Sequence, residues 1–327
     1  MKVFVTRRIP QPGLDLLGTF AEVEVSPHDR VLTKEEIIRG VRGKDGLLCL
    51  LTDPIDRDVI YAEPNLQMIA SYAVGFDNIN VAAATERGIP VSNTPGVLTD
   101  TTAEMAWALL FSVARRIVEG DAYTRSGKFR GWAPMLMLGR DVSNKTLGII
   151  GTGRIGTAFA LKSKGFNMKI LYVDEEKRNE QLEKELGAKK VQLPELLKNA
   201  DFISIHVPLL RSTHHLIGEP ELRMMKNTAI LINTSRGPVI DEKALVKALK
   251  EHWIFGAGLD VYEHEPEISH ELRQLENVVL QPHAASGTIE TRTKMALMAA
   301  ENMIAGLKGK VPPNCVNPEV FKRRSIR

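Results

Sequence analysis

The stretch that most constrains this chain is Thr146–Asp174, TLGIIGTGRIGTAFALKSKGFNMKILYVD. Gly151, Gly153 and Gly156 form G-x-G-x-x-G directly after an apolar strand-like run and at the start of a helical one. The first glycine permits a tight turn and the second lets main chain approach a pyrophosphate. The third lets the helix pack closely on the strand. The helix start, with Thr152, Arg154 and Ile155 around it, offers N–H groups and a positive dipole end to phosphates. The next apolar run ends in Asp174, eighteen residues past Gly156, at the spacing expected of a ribose-binding acid. A carboxylate there accepts from ribose hydroxyls and repels a 2′-phosphate, so NAD(H) is favoured. Lys177 and Arg178 stand close enough to offset part of that repulsion, which leaves NADP(H) open.

The same alternation of short apolar runs and helical stretches fills the rest of the chain. Before residue 100 the runs KVFVT, EVEVS, GLLCLL, LQMIASY and IPVSN read as strands, and MKVFVTRRIPQPG reads as a strand and a turn. After Asp174 come DFISIHVPL, AILINTS, FGAGLDV and NVVLQPH. Strands separated by helices imply parallel sheets covered on both faces, and 327 residues suit two such domains. The punctuation changes at Asn93, Pro95 and Gly96, where a long apolar helix follows. The segment 126–140 has no clear period and reads either as a loop packed on its own domain or as an arm reaching a second subunit. Helical spacing of Met295, Met298, Met303 and Ile304 marks a final helix over Ile289–Leu307, which either stays with the second domain or crosses back to the first.

Composition excludes several alternatives. A net charge of +3 with acids and bases interspersed gives no nucleic-acid footprint, and the basic tail FKRRSIR reads as a solvated terminus. No apolar run approaches the ~20 residues of a membrane helix. Two cysteines, Cys49 and Cys315, make neither a metal site nor a disulfide framework and fit a reducing cytoplasm. No histidine pair has metal-ligand spacing, so no metal is expected; His28, His214, His215, His252 and His270 read as exposed.

Reducing a carbonyl needs a group that grips the substrate and an acid that protonates its oxygen. In open α/β sheets such groups belong at the C-terminal ends of strands. Arg236 ends AILINTSRG, Glu265 follows GAGLDVYEHEP, and His283 ends NVVLQPH. Arg236 presents a planar charged fork suited to a 2-oxo acid. A carboxylate on the far nitrogen of His283 orients the ring and favours its charged form. Within GLDVYEHEPE, His264 reads as a bystander, because neighbours in extended chain point opposite ways. Glu263 and Glu267 read as solvated, and Asp260 as facing the nicotinamide side. His206, at its own strand end, is placed near the adenosine half. Thr102, Val207, Pro208, Thr234 and Ser235 complete the expected cofactor contacts.

The ordered set YAVGFDNIN, NTPGVLTDTTAE, GIIGTGRIG, HVPL, INTSRGPVID, GLDVYEHEP and NVVLQPH resembles the D-isomer-specific 2-hydroxyacid dehydrogenases, over nearly the whole chain. NTPGVLTDTTAEMA and WAPMLMLGRDV are most similar to the glyoxylate/hydroxypyruvate reductase branch. The resemblance implies an α/β fold of a Rossmann-type domain, 100–286, and a flavodoxin-like substrate domain, 1–99 completed by 287–327, with the site in the cleft. It implies Arg236, Glu265 and His283 as the catalytic set, and main-chain N–H groups of Val74 and Gly75 as carboxylate donors. Leu51, Thr52 and Trp132 are expected to line the substrate pocket, Trp132 by reaching a partner's site in a homodimer. The resemblance implies a small 2-oxo or 2-hydroxy acid as substrate. 3-Phosphoglycerate or a bulkier acid such as phenylpyruvate are alternatives, as is a dinucleotide-sensing corepressor role.

Overall fold

The computed structural model describes residues 1–175 and 178–324, so Lys177 and the last three residues of the basic tail lie outside the described residues. The chain forms two compact units: Met1–Leu98 with Gly287–Arg327, and Thr99–Ser286.

The first unit opens as β1 (Lys2–Val5), α1 (Gln11–Gly18), β2 (Glu22–Val25), α2 (Lys34–Val41) and β3 (Gly46–Cys49). It continues as α3 (Arg57–Tyr61), β4 (Met68–Ser71), α4 (Val81–Glu86) and β5 (Val91–Ser92). Its sheet is wholly parallel in the order β2-β1-β3-β4-β5, the doubly wound order of flavodoxin-like folds. β3 and β4 are buried along their whole length, as expected of parallel strands covered on both faces. α2 begins with a capping box in which Thr33 accepts from the Glu36 N–H and the Glu36 carboxylate accepts from the Thr33 N–H. One expectation is corrected: QPG, read as the turn that ends MKVFVTRRIPQPG, opens the helix Gln11–Gly18. Pro12 sits in the first helical turn, where its missing N–H costs nothing.

The second unit begins with α5 (Thr99–Ala114) and α6 (Ile117–Arg125). Then follow β6 (Thr146–Ile150), α7 (Arg154–Leu161), β7 (Lys169–Val173), α8 (Glu180–Leu186), β8 (Lys189–Lys190) and α9 (Leu193–Asn199). β9 (Phe202–Ile205), α10 (Glu219–Met224), β10 (Ile230–Asn233) and α11 (Glu242–Lys250) come next, ahead of β11 (Gly256–Leu259), α12 (His270–Gln274) and β12 (Val278–Leu280). Seven parallel strands lie in the order β12-β11-β10-β9-β6-β7-β8. The order reverses between β6 and β9, so the crevice beyond their C-terminal ends is a topological switch point, where such sheets bind ligands. α5 buries Ala106, Trp107, Leu110 and Ala114 in one core layer, where Trp107 stacks on Phe159 at 4.9 Å. Leu231, Ile205, Leu245 and Leu259 fill the opposite face. The segment after α6 has no regular element, and its tip is exposed, with Trp132 at 86% and Met135 at 76% accessibility.

The chain returns to the first unit with α13 (Ile289–Leu307) and α14 (Glu319–Arg324). α13 packs on α1 so closely that a Cβ at Gly13 would lie 2.6 Å from the Ala296 Cβ. Asn302, fully buried, donates to the Asn93 carbonyl, and Asn317 ties the tail back to Ile89 and Val91.

Candidate active site

The glycine turn comes directly off β6. Gly151 has φ 90°, and a Cβ there would lie 2.8 Å from a Val207 methyl and 2.9 Å from the His206 carbonyl carbon. At Gly156 a Cβ would meet the Gly151 carbonyl oxygen at 2.0 Å, so strand and helix touch backbone to backbone. Gly153 differs: nothing lies within 4 Å of the position its Cβ would take. It is also the N-cap of α7 and supplies no side-chain acceptor, so the first N–H groups of that helix, from Arg154 and Ile155 onward, are left for a ligand.

Asp174, at the end of β7, accepts from the Thr152 N–H at 2.6 Å and the Thr152 hydroxyl at 2.7 Å. That fastens the acid to the turn. Arg178 is engaged by Glu183, its Nε donating at 2.9 Å and its Nη2 at 2.6 Å. Thr234, past β10, has a buried hydroxyl with no hydrogen-bond partner. An orphaned buried hydroxyl is costly unless a ligand satisfies it. The open space over Gly153, the uncapped helix start, the ribose-type acid and this hydroxyl all fit a dinucleotide.

The remaining cofactor candidates are placed as follows. Thr102 is buried on α5, Val207 and Pro208 follow β9, and Ser235 donates through both N–H and hydroxyl to Asn233 Oδ1. His206 turns its imidazole inward: Nε2 lies 2.9 Å from the Ser204 hydroxyl and the ring lies tilted at 46° against Phe159, with centroids 5.1 Å apart. Part of the residue's surface stays accessible, but burial of the ring pushes its pKa down to about 3. Asp260 is wholly buried and accepts from the Ala284 N–H at 2.7 Å and the Ala285 N–H at 2.8 Å. Burial pushes its carboxyl up, and the two N–H groups offset part of that.

Asp260 thereby fixes the turn that carries His283, which sits at φ 52°, a left-handed conformation uncommon for a side chain of this size. His283 Nδ1 lies 2.8 Å from Glu265 Oε2, and both side chains are about a quarter exposed, at 25% and 27%. Burial pushes the Glu265 carboxyl up, but the His283 contact, the Tyr262 N–H at 3.0 Å and the charge of Arg236 outweigh it and hold it below the usual range. Arg236 is half-buried; its Nη1 donates to the Ser235 carbonyl and its own carbonyl accepts from Asn233 Nδ2. Arg236, Glu265 and His283 thus follow the adjacent strands β10, β11 and β12 on the same sheet edge as the glycine turn.

Two residues had no sequence signal. Tyr262 holds Glu265 by its N–H and reaches the Gln281 carbonyl with its hydroxyl at 2.7 Å, which joins the ends of β11 and β12. Glu263, expected to be solvated, is partly covered and linked instead: its side chain is 14% exposed and meets the more open His215 at 2.7 Å. The local sequence reads as acidic, and only the fold brings the histidine to it. In the first unit Leu51 and Thr52 follow β3, and Val74 and Gly75 follow β4. Among the described residues no cluster of three or more His, Cys, Asp or Glu could hold a metal ion, and no helix is long and apolar enough to cross a membrane.

The profile of the D-isomer specific 2-hydroxyacid dehydrogenase, NAD binding domain, matches residues 107–285. The chain is 56% identical to the glyoxylate reductase of Korarchaeum cryptofilum over 99% of its own length and 98% of the relative's. A protein of Thermus thermophilus superposes with a TM-score of 0.91 at 45% identity, covering 97% of this chain and all (100%) of that one. The NADPH-dependent glyoxylate/hydroxypyruvate reductase of Sinorhizobium meliloti, solved with NADP and malonate, superposes with a TM-score of 0.85 at 29% identity over 98% of each chain. The chain belongs to the D-isomer-specific 2-hydroxyacid dehydrogenase family, a class of NAD(P)-dependent oxidoreductases. Within that class its full-length likeness is to the glyoxylate reductases.

Proposed function

We propose that this enzyme reduces glyoxylate or hydroxypyruvate to the D-2-hydroxy acid with NAD(P)H. The observation that carries the reading is the 2.8 Å contact of Glu265 with His283 on the sheet edge that also holds the glycine turn. When bound, the nicotinamide supplies the hydride. Gly151, Gly153 and the start of α7 would hold its pyrophosphate, Asp174 its ribose, and the Thr234 hydroxyl is placed to receive a polar group of it.

The chain's own residues do the rest. Arg236 grips the carboxylate and carbonyl oxygens of the 2-oxo acid with its planar fork. His283 Nδ1–H donates to Glu265, which leaves Nε2 as the nitrogen that moves the proton. That nitrogen protonates the carbonyl oxygen during reduction and takes the proton back from the hydroxyl during oxidation. The Glu265 carboxylate orients the imidazole and fixes its tautomer. Substrate roles for Val74, Gly75, Leu51 and Trp132 rest on family resemblance.

We also assign a homodimer and a cytoplasmic location. Ile117, Val118, Phe129, Trp132, Met135 and Leu138 are all more than half exposed, at 52–86%, within one stretch of the second unit. An apolar run of that kind is covered at least cost by a second copy. Sedimentation of the wild type as a monomer at micromolar concentration would remove that assignment.

The test of function is a panel of glyoxylate, hydroxypyruvate, 3-phosphohydroxypyruvate and phenylpyruvate, each with NADH and NADPH. The expected order of kcat/KM puts the first two highest. A maximum with the phosphorylated or the aromatic acid reassigns the substrate, and negligible turnover with all four, alongside tight NADH binding, points to a sensing role.

A further inference from the structure

One histidine outside the catalytic set ties the Arg236 loop to the Glu265 loop. The main-chain N–H of His215 donates to the Pro238 carbonyl at 2.8 Å, two residues past Arg236. Its Nε2 lies 2.7 Å from Glu263 Oε1, two residues before Glu265. To make both contacts the residue takes a left-handed backbone, φ 51°. The two loops it joins are already in backbone contact, since a Cβ at Gly237 would lie 1.9 Å from the Tyr262 carbonyl carbon.

The far side of the link is equally built. The Glu242 N–H donates to Glu263 Oε2 at 2.9 Å, and the Glu263 N–H donates back to Glu242 Oε2 at 3.1 Å. Glu242 Oε1 accepts from the Ser269 N–H at 3.3 Å. A continuous chain of hydrogen bonds therefore runs from Pro238 through His215, Glu263 and Glu242 to Ser269, spanning the base of the loop that presents Glu265. Burial pushes the Glu263 carboxyl up, but the Glu242 N–H and His215 outweigh it and keep it ionised. A carboxylate this enclosed is costly without its partners, and nothing in hydride transfer requires a second histidine–glutamate pair here.

We propose that His215, acting through Glu263, is a positioning residue that sets the register between the Arg236 loop and the Glu265 loop. It touches no reacting group. The proposal rests on the catalytic assignment above and deepens it: Arg236 fixes the substrate, Glu265 fixes His283, and His215 fixes the one loop against the other. A misplacement of the order of 1 Å between such groups costs about 10²-fold in rate.

The test is kinetic. His215→Leu is expected to lower kcat/KM for the preferred 2-oxo acid by about 10- to 100-fold, mainly in kcat, with the Kd for NADH by fluorescence within about twofold of wild type. His215→Gln, which keeps an N–H donor, recovers most of the loss. Glu263→Gln adds no further loss on top of His215→Leu, because residues in one network are non-additive. Wild-type kcat/KM in His215→Leu overturns the proposal. So does a His215→Gln variant as impaired as His215→Leu, or a double variant whose losses simply add. If His215→Leu does not fold, His215→Gln and Glu263→Gln decide: impairment confined to the second supports the link, and equal activity overturns it. His283→Ala is assayed in parallel. If it keeps wild-type turnover the catalytic assignment itself fails, whereas its loss beside a fully active His215→Leu overturns the positioning role alone.

Discussion

His283 presents Nδ1 to Glu265 Oε2 at 2.8 Å across eighteen positions of sequence, with the ring held on a left-handed turn that Asp260 fastens through two main-chain N–H groups. The pair is polar, partly open and set by groups that touch no substrate. Its disruption should therefore change chemistry before it changes folding.

His283→Ala and Arg236→Ala are expected to fold with unaltered melting temperature and to lose about 10²–10⁴ in kcat/KM. Glu265→Gln keeps a polar contact to the ring and loses less. Steady-state kinetics and thermal melts of each variant check both points, and near-wild-type turnover in His283→Ala would sink the assignment.

The last two glycines of the turn separate folding from binding. Gly156→Ala places a methyl group 2.0 Å from the Gly151 carbonyl oxygen, so strand and helix must part and the melting temperature falls. Gly153→Ala meets no protein atom within 4 Å. It should melt like wild type while the Kd for NADH rises about tenfold or more, equivalent to ~1.4 kcal/mol. Calorimetry with fluorescence titration reads both, and unchanged NADH affinity in Gly153→Ala would count against a pyrophosphate at that surface.

Asp174 repels a 2′-phosphate while Arg178 is engaged by Glu183. Asp174→Ser is expected to raise the NADPH-to-NADH ratio of kcat/KM by roughly tenfold, or ~1.4 kcal/mol. Steady-state kinetics with each cofactor measures it, and a wild type that already prefers NADPH would refute the role given to the acid.

Acid stability follows from His206. Burial lowers its pKa from 6.5 to about 3 in the folded chain. Between those values the unfolded chain binds the proton and the native chain does not, so stability rises with pH across that window. The contribution is fully present above pH 6.5 and is lost as the pH falls toward 3. His206→Gln should flatten the decline, with the difference from wild type changing by about 1 kcal/mol between pH 7.5 and pH 5.5. Urea titrations at the two pH values test this; parallel declines would mean that the ring is protonated where it lies.

The strand–glycine–helix–strand–acid sequence made the nucleotide unit legible, because each residue there answers a local geometric demand. The Ile289–Leu307 helix was equally plain, since its apolar spacing coincides with the bounds of α13. α1 was hidden by Pro12 and Gly13, which read as a turn; the proline begins the helix and the glycine serves a contact with Ala296, far along the chain. β8 is two exposed lysines, with no apolar signal to mark it. In the site, Arg236, Glu265 and His283 stood out because strand ends are predictable. The linkage of His215 to Glu263 was not, for its partners are 48 residues apart and local pattern makes each look like surface charge.

The placement of α13 has a consequence in time. The first unit contains both the first residues of the chain and α13, with all of Thr99–Ser286 between them. Gly13 and Gly306 reserve space for Ala296 on α13 and for Met68 on β4, so the surfaces meant for α13 stay uncovered until it is made. At ~5–20 residues per second of synthesis that wait is on the order of 10 s or more. The nucleotide unit, continuous in sequence, completes its own core first, and the half-built first unit passes that interval with apolar surface exposed, which makes it the part of the nascent chain most in need of a chaperone.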